Sequence, residues 1–147
     1  MHETDEALPV REDQTPPRIR FEEEPHLYFV DGLPLPSVSA IMRPLTERYY
    51  AAINSAVLND AAERGKAVHK MVEDFEKTGA PPIDETLINY WKSYVVAKKL
   101  HDIRPIEIEK MLTNRLFCGT LDQIAYVKGA LCIVDLKATS ASNTSLS

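Results

Sequence analysis

Gly119-Thr120-Leu121-Asp122-Gln123-Ile124-Ala125-Tyr126-Val127, then Lys128-Gly129, then Ala130-Leu131-Cys132-Ile133-Val134-Asp135-Leu136-Lys137-Ala138: this stretch decides the fold. Both halves are apolar enough for strands in a sheet, and Lys128-Gly129 is the tight connection between them. Side chains two apart on a strand share a face. Leu131, Ile133, Asp135 and Lys137 therefore lie on one side, and Cys132, Val134 and Leu136 on the other. An acid and a base emerge together at the end of an apolar strand, and the preceding strand carries Asp122.

Working outward, Ile106-Glu107-Ile108-Glu109-Lys110-Met111-Leu112 is a third run of the same kind, with Glu107 and Glu109 on one face. Pro105 marks the change from helix to strand. Upstream, Asp84 caps a helix through about Leu100, with Leu87, Trp91, Tyr94 and Val95 on its buried side. Gly79-Ala80-Pro81-Pro82 stops an earlier helix, read from the proline-free stretch 46–77. On that helix, with Gly65 set at zero on a helical wheel, Val68, His69, Val72 and Phe75 fall in one stripe of roughly 120°. Ser37 is placed to cap a short helix. Before it, residues 18–23 and 26–30 are short β-prone runs, with a turn at Asp31-Gly32, and predict a hairpin or meander.

Residues 1–17 are acidic, hold Pro9, Pro16 and Pro17, and read as a disordered leader; 18–147 form one domain. Eight acids against three bases in residues 1–24 account for the whole net charge of −5, so the remainder is neutral. An acidic average thus does not exclude a nucleic-acid partner. The 44% apolar and 27% charged fractions are those of a globular protein. No run reaches the roughly 20 apolar residues of a membrane span, and no secretory signal is visible, so the expected setting is cytoplasmic. Cys118 and Cys132 are too few for a disulfide framework or an iron–sulfur cluster; Cys118 reads as core.

Three carboxylates and a lysine on neighbouring strands suit one chemistry. Buried carboxylates need a partner, and a hard cation such as Mg²⁺ or Mn²⁺ takes carboxylates, waters and phosphate oxygens. Phosphodiester hydrolysis needs an activated water and counter-charge for the transition state, and a lysine beside the metal assists both.

Here the chain resembles a known group. Gly119-Thr120-Leu121-Asp122, a hairpin, then Ile133-Val134-Asp135-Leu136-Lys137-Ala138-Thr139 is similar to the core signature of the PD-(D/E)XK nuclease superfamily, in its RecB-like and phage exonuclease branch. Arg64-Gly65-Lys66-Ala67-Val68-His69 matches a helix motif of that branch, and His26 through Met42 resembles its lead-in. The resemblance spans roughly residues 25–140, with four short motifs in the family's order. It implies Asp122 and Asp135 as metal-binding carboxylates, Lys137 as the catalytic lysine, and the Leu136 carbonyl and His69 as further ligands. Glu109 matches the family's third acid, with Glu107 as a rival on the same face. Arg64, Lys66 and Lys70, flanking the histidine, are the candidate phosphate contacts.

Two departures stand out. Ala138 separates Lys137 from Thr139, and the chain ends ten residues after Lys137, where the family continues with a helix and another strand. The domain is therefore expected to be incomplete at its C-terminus, with an open sheet edge: the chain is a fragment, or a second copy or partner subunit completes it, or it is a shortened relative with impaired function. The fold implied is α/β: a restriction-endonuclease-like core with a small mixed sheet of about three strands, two long helices before it and a short N-terminal hairpin. The function implied is a Mg²⁺- or Mn²⁺-dependent deoxyribonuclease, an exonuclease of phage or bacterial DNA recombination and repair. The alternatives are a catalytically impaired or accessory DNA-binding module that keeps the fold, and a metal-binding domain for another phosphate-bearing substrate.

Overall fold

The computed structural model describes residues 15–139. The leader expected over 1–17 lies outside them as far as residue 14, as does the polar end from residue 140; residues 15–18 have no regular structure. The order is β1 (Ile19–Glu22), β2 (Leu27–Val30), β3 (Leu33–Leu35), α1 (Val38–Tyr50), α2 (Ser55–Thr78), α3 (Ile88–Leu100), β4 (Ile103–Thr113), β5 (Cys118–Val127) and β6 (Ala130–Val134). A 3₁₀ turn, Glu85–Leu87, leads into α3.

The chain is mixed α/β, but its sheet is not the single mixed one expected. β1-β2-β3 and β4-β5-β6 are two antiparallel sheets, and among the described residues parallel pairing is limited to one bridge, Ser37 to Cys118. The reason is connection length: tight turns join strands antiparallel, whereas a parallel pair needs a crossover of a dozen or more residues. Lys128-Gly129 has φ of 49° and 83° and Asp31-Gly32 has 50° and 83°. Both are the left-handed pairs of type I′ hairpin turns. Between β4 and β5, Asn114 Oδ1 accepts from the N–H groups of Leu116 and Phe117. The N-terminal element, read as a hairpin or meander, is a three-stranded meander in which Asp31-Gly32 joins β2 to β3. Asp31 pins its turn by accepting from the Arg18 N–H at 3.0 Å.

Among the described residues the three helices expected, a short one after Ser37 and two longer ones, are present, but two of them have other bounds. The stretch 46–77 breaks at Ala51–Asn54, because Asn54 caps a new helix by accepting from the Ala56 N–H at 2.8 Å. The upstream helix, capped by Ser37 as expected, runs on through Pro44 to Tyr50, so it is longer than the sequence suggested. Asp84 caps the 3₁₀ turn before α3, and Gly79 ends α2 with φ 72°. Pro105 lies inside β4, not ahead of it, at a register shift between Pro105 and Glu107; a bulge on an edge strand tolerates the missing N–H.

Two apolar clusters hold these elements. Tyr28, Val30 and Cys118 pack with Ile19, Phe21, Leu35 and Met111, joining the meander to β4 and β5. The Tyr28 hydroxyl meets Thr120 Oγ1 at 2.7 Å. Val68, Met71 and Val72 of α2 pack with Leu87, Tyr90, Trp91, Tyr94, Leu136 and Ala138. Between α3 and the sheet, fully buried Gln123 donates from Nε2 to the Tyr94 hydroxyl, which donates to Glu76, which also takes Lys98. Among the described residues no helix is long and apolar enough to cross a membrane.

Candidate metal centre

Glu109 and Asp122 meet because of strand register. Ile108 pairs with Gln123 and Lys110 with Leu121, which sets Glu109 opposite Asp122 on the other face. Glu109 has φ 50°, a left-handed value that a residue with a Cβ adopts at a cost. The last pair of β5 and β6 is Gln123 with Val134, so Asp135 follows opposite Asp122. Asp135 and Lys137 thus lie just beyond β6, not within it. Leu136 and Ala138 are held by the α2 cluster, which turns Asp135 and Lys137 to the opposite, exposed side.

His69 arrives from α2 because its neighbours Val68 and Val72 are buried on that helix. Its Nδ1 lies 3.4 Å from Glu109 Oε1 and 3.4 Å from Asp122 Oδ1. Its Nε2 is 3.0 Å from the Leu136 carbonyl oxygen. The Leu136 N–H in turn donates to Asp122 Oδ2 at 2.6 Å. A histidine whose outer N–H is held by a main-chain carbonyl presents the lone pair of its other nitrogen. In that tautomer Nδ1 and two carboxylate oxygens converge on one point, the arrangement a cation stabilises.

The donor set fits a hard divalent ion. The ligand atoms of His69, Glu109 and Asp122 all lie within 4.8 Å of one another. Ligands of one octahedral ion at about 2.1 Å lie roughly 3 to 4.3 Å apart, so small adjustments suffice. One imidazole and carboxylate oxygens suit Mn²⁺ and Mg²⁺ better than thiophilic metals.

Burial pushes the carboxyls of both Glu109 and Asp122 above the usual carboxylate range; His69 opposes this for Glu109, and the Leu136 N–H opposes it for Asp122. Asp135 goes the other way. The Lys137 ammonium, 2.9 Å from Asp135 Oδ2, holds that carboxyl low and is itself held charged.

Of the residues singled out from sequence, His69, Glu109 and Asp122 come together, while Asp135, expected as a metal-binding carboxylate, lies outside that group with its carboxylate on Lys137. Leu136 joins them through its main chain, its carbonyl facing the histidine. Glu107 stays outside, 3.6 Å from Lys110. Lys66 and Lys70 flank His69 but are paired, with Glu23 at 3.6 Å and Asp74 at 3.0 Å. The Arg64 Nε is buried without a hydrogen-bond partner among the described residues. Glu73 was not singled out: it lines the same groove as Glu109 and acts on its carboxyl. Its place four residues after His69 on one helix was a legible signal.

His69 stands between two grooves. One, of about 990 Å³, runs past Ser37, Thr120, Asp122, Asp135 and Lys137. The other, of about 680 Å³, is lined by Gly65, Lys66, Lys70, Glu73 and Glu109. Comparison with protein-family models, curated proteins and solved structures returns no match to this chain.

Proposed function

We propose that the chain is a divalent-metal-dependent deoxyribonuclease of PD-(D/E)XK type, hydrolysing phosphodiester bonds at the His69–Glu109–Asp122 centre. The observation that carries this reading is the convergence of those three side chains beside Asp135 and Lys137, from four separate segments of the chain. A Mg²⁺ or Mn²⁺ ion bound there would supply an activated water and counter-charge for the phosphorane-like transition state. The residues supply the rest. Asp122 and Glu109 would hold the cation as carboxylates, and the Leu136 carbonyl, 3.0 Å from His69 Nε2, orients that ring. Lys137, its side chain 80% exposed, presents an ammonium to the larger groove. Because Asp135 keeps Lys137 protonated, it acts as a hydrogen-bond donor to the attacking water or a phosphate oxygen, not as a base. The surface pairs of Lys66 and Lys70 are of the weak kind that phosphates displace readily.

The test is cleavage of labelled single- and double-stranded linear DNA with Mn²⁺, by the wild-type chain and by Asp122→Asn. Cleavage lost in the variant and in chelator supports the proposal; equal cleavage by both contradicts it.

One observation favours a second reading, an accessory module that acts only with a partner. The stripe Val38, Ile41, Leu45 and Tyr49 on α1 is exposed, and α1 has no buried residue. In that case the isolated chain binds Mn²⁺ and DNA without turnover.

A further inference from the structure

The larger groove beside the metal centre changes character along its length. Asp122, His69 and Lys137 line it, and so does Phe117, at the tip of the β4–β5 hairpin. Phe117 precedes Asp122 by five residues of extended chain, so the two lie about 17 Å apart along β5. Away from the centre the wall is apolar and open to solvent: Val38, Leu112 and Phe117 line it and are 44%, 45% and 38% exposed. The turn fixes Phe117 in place. Its N–H donates to Asn114 Oδ1 at 3.1 Å, and its carbonyl accepts from Thr113 Oγ1 at 2.9 Å. The same groove takes His26, an exposed ring that stands edge-on to Phe21 with centroids 4.9 Å apart. Thr113 and Asn114 also line an adjoining groove of about 670 Å³, which carries Arg18 and Arg115. Arg115 meets Asp31 at 3.3 Å between exposed side chains, a weak surface pair.

We propose, resting on the nuclease reading of this centre, that the groove takes an unpaired DNA strand, with bases stacked on Phe117 and His26 and phosphates on Lys137 and the two arginines. The wall favours a single strand over a duplex. A duplex hides the faces of its bases and presents two rows of phosphates, so its binding rests on lysines and arginines. Among the described residues Lys137 is the one lysine or arginine lining the larger groove, and exposed apolar side chains there have nothing to meet on a duplex backbone. An unpaired strand presents the faces themselves, and every base has one. Length agrees: about 17 Å holds roughly five stacked nucleotides at 3.4 Å each. A strand continuing past Phe117 enters the groove of Arg18 and Arg115. Because the turn already holds Phe117, little ordering is left for binding to offset.

The test measures binding apart from cleavage, on the full chain, with Ca²⁺ in place of Mn²⁺ and the probes checked intact on a gel. Fluorescence anisotropy compares labelled oligothymidylate of roughly 15 nucleotides, within the range of single-strand site sizes, with a blunt duplex of the same length. The single strand should bind at least about tenfold more tightly than the duplex. Phe117→Ala should lose roughly 5- to 150-fold on the single strand, the worth of one stacked base, and leave duplex binding unchanged. Phe117→Leu, which keeps apolar bulk without the ring, should lose affinity in the same direction, and Phe117→Tyr should bind as the wild type does. Three cations on the track predict a slope of log affinity against log salt of about −2, at about 0.7 per phosphate. Circular dichroism and Mn²⁺ affinity should be the same in all three variants. Equal or tighter binding of the duplex, single-strand binding indifferent to both Phe117→Ala and Phe117→Leu, or no binding of either probe overturns the proposal. A chain that prefers the single strand through Phe117 yet cuts no DNA with Mn²⁺ overturns the nuclease reading and keeps the strand site.

Discussion

At the residue scale, His69 connects the parts of the proposed centre, one nitrogen towards Glu109 and Asp122 and the other on the Leu136 carbonyl. Asp122 is tied to the same peptide through the Leu136 N–H, so one main-chain unit orients two ligands. Replacing Asp122 with Asn keeps an acceptor for that N–H but removes the charge. Calorimetric titration with Mn²⁺ should show affinity falling by more than the roughly 10–100-fold typical of an outer-shell change, and likewise for His69→Ala. The pH dependence follows from the raised carboxyls of Glu109 and Asp122. Unfolded, both groups release their protons in the ordinary carboxylate range; folded and metal-free, they hold them to higher pH. As pH falls from neutrality through that raised range, the folded state takes up protons first and the metal-free chain gains stability. The gain is complete below the ordinary range, and Asp122→Asn should diminish it in urea titrations at several pH values. Mn²⁺, which needs both carboxylates charged, should bind more tightly as pH rises through the same window.

At the scale of elements, the centre depends on how α2, α3 and the sheet are locked together. Tyr94→Phe removes the hydroxyl that receives the buried Gln123 amide and donates to Glu76. Leaving that amide unpaired should cost about 1–3 kcal/mol in urea unfolding. Ser37→Ala, which deletes the cap of α1 on the Ala40 N–H, should cost about 1 kcal/mol.

The strands, the Lys128-Gly129 turn and the caps at Ser37 and Asp84 were legible because local residue types determine them. The break at Asn54 was not, since a proline-free run gives no sign of where a second cap competes with helix continuation. The sheet arrangement was read through the family resemblance, and the short connections between strands argued against a parallel pair. Within the site, alternation identified Asp122, Asp135 and the Glu107/Glu109 pair, but only strand register separates Glu109 from Glu107. The pairing of Lys66 with Glu23 spans distant segments and has no signal in the order of residues.

At the scale of the molecule, the centre lies where two apolar clusters meet. Asp122 follows Cys118 of one cluster along β5, while His69, Leu136 and Ala138 belong to or adjoin the other. A ligand held by both halves should stabilise the whole chain. Mn²⁺ at about a hundred times its dissociation constant should add roughly 2.7 kcal/mol and raise the unfolding temperature, with no rise in Asp122→Asn.

The most direct test of the central claim separates metal binding from chemistry. Lys137 lies beside the three-residue centre and not among its ligand atoms. Cleavage of labelled linear DNA is therefore to be measured for the wild-type chain and for Lys137→Ala at matched Mn²⁺ occupancy. The expected result is cleavage by the wild type and a loss of about 10²–10³-fold in the variant, which still binds Mn²⁺. A folded, Mn²⁺-loaded wild-type chain that leaves DNA intact, or a Lys137→Ala chain that cuts as fast as the wild type, would contradict it.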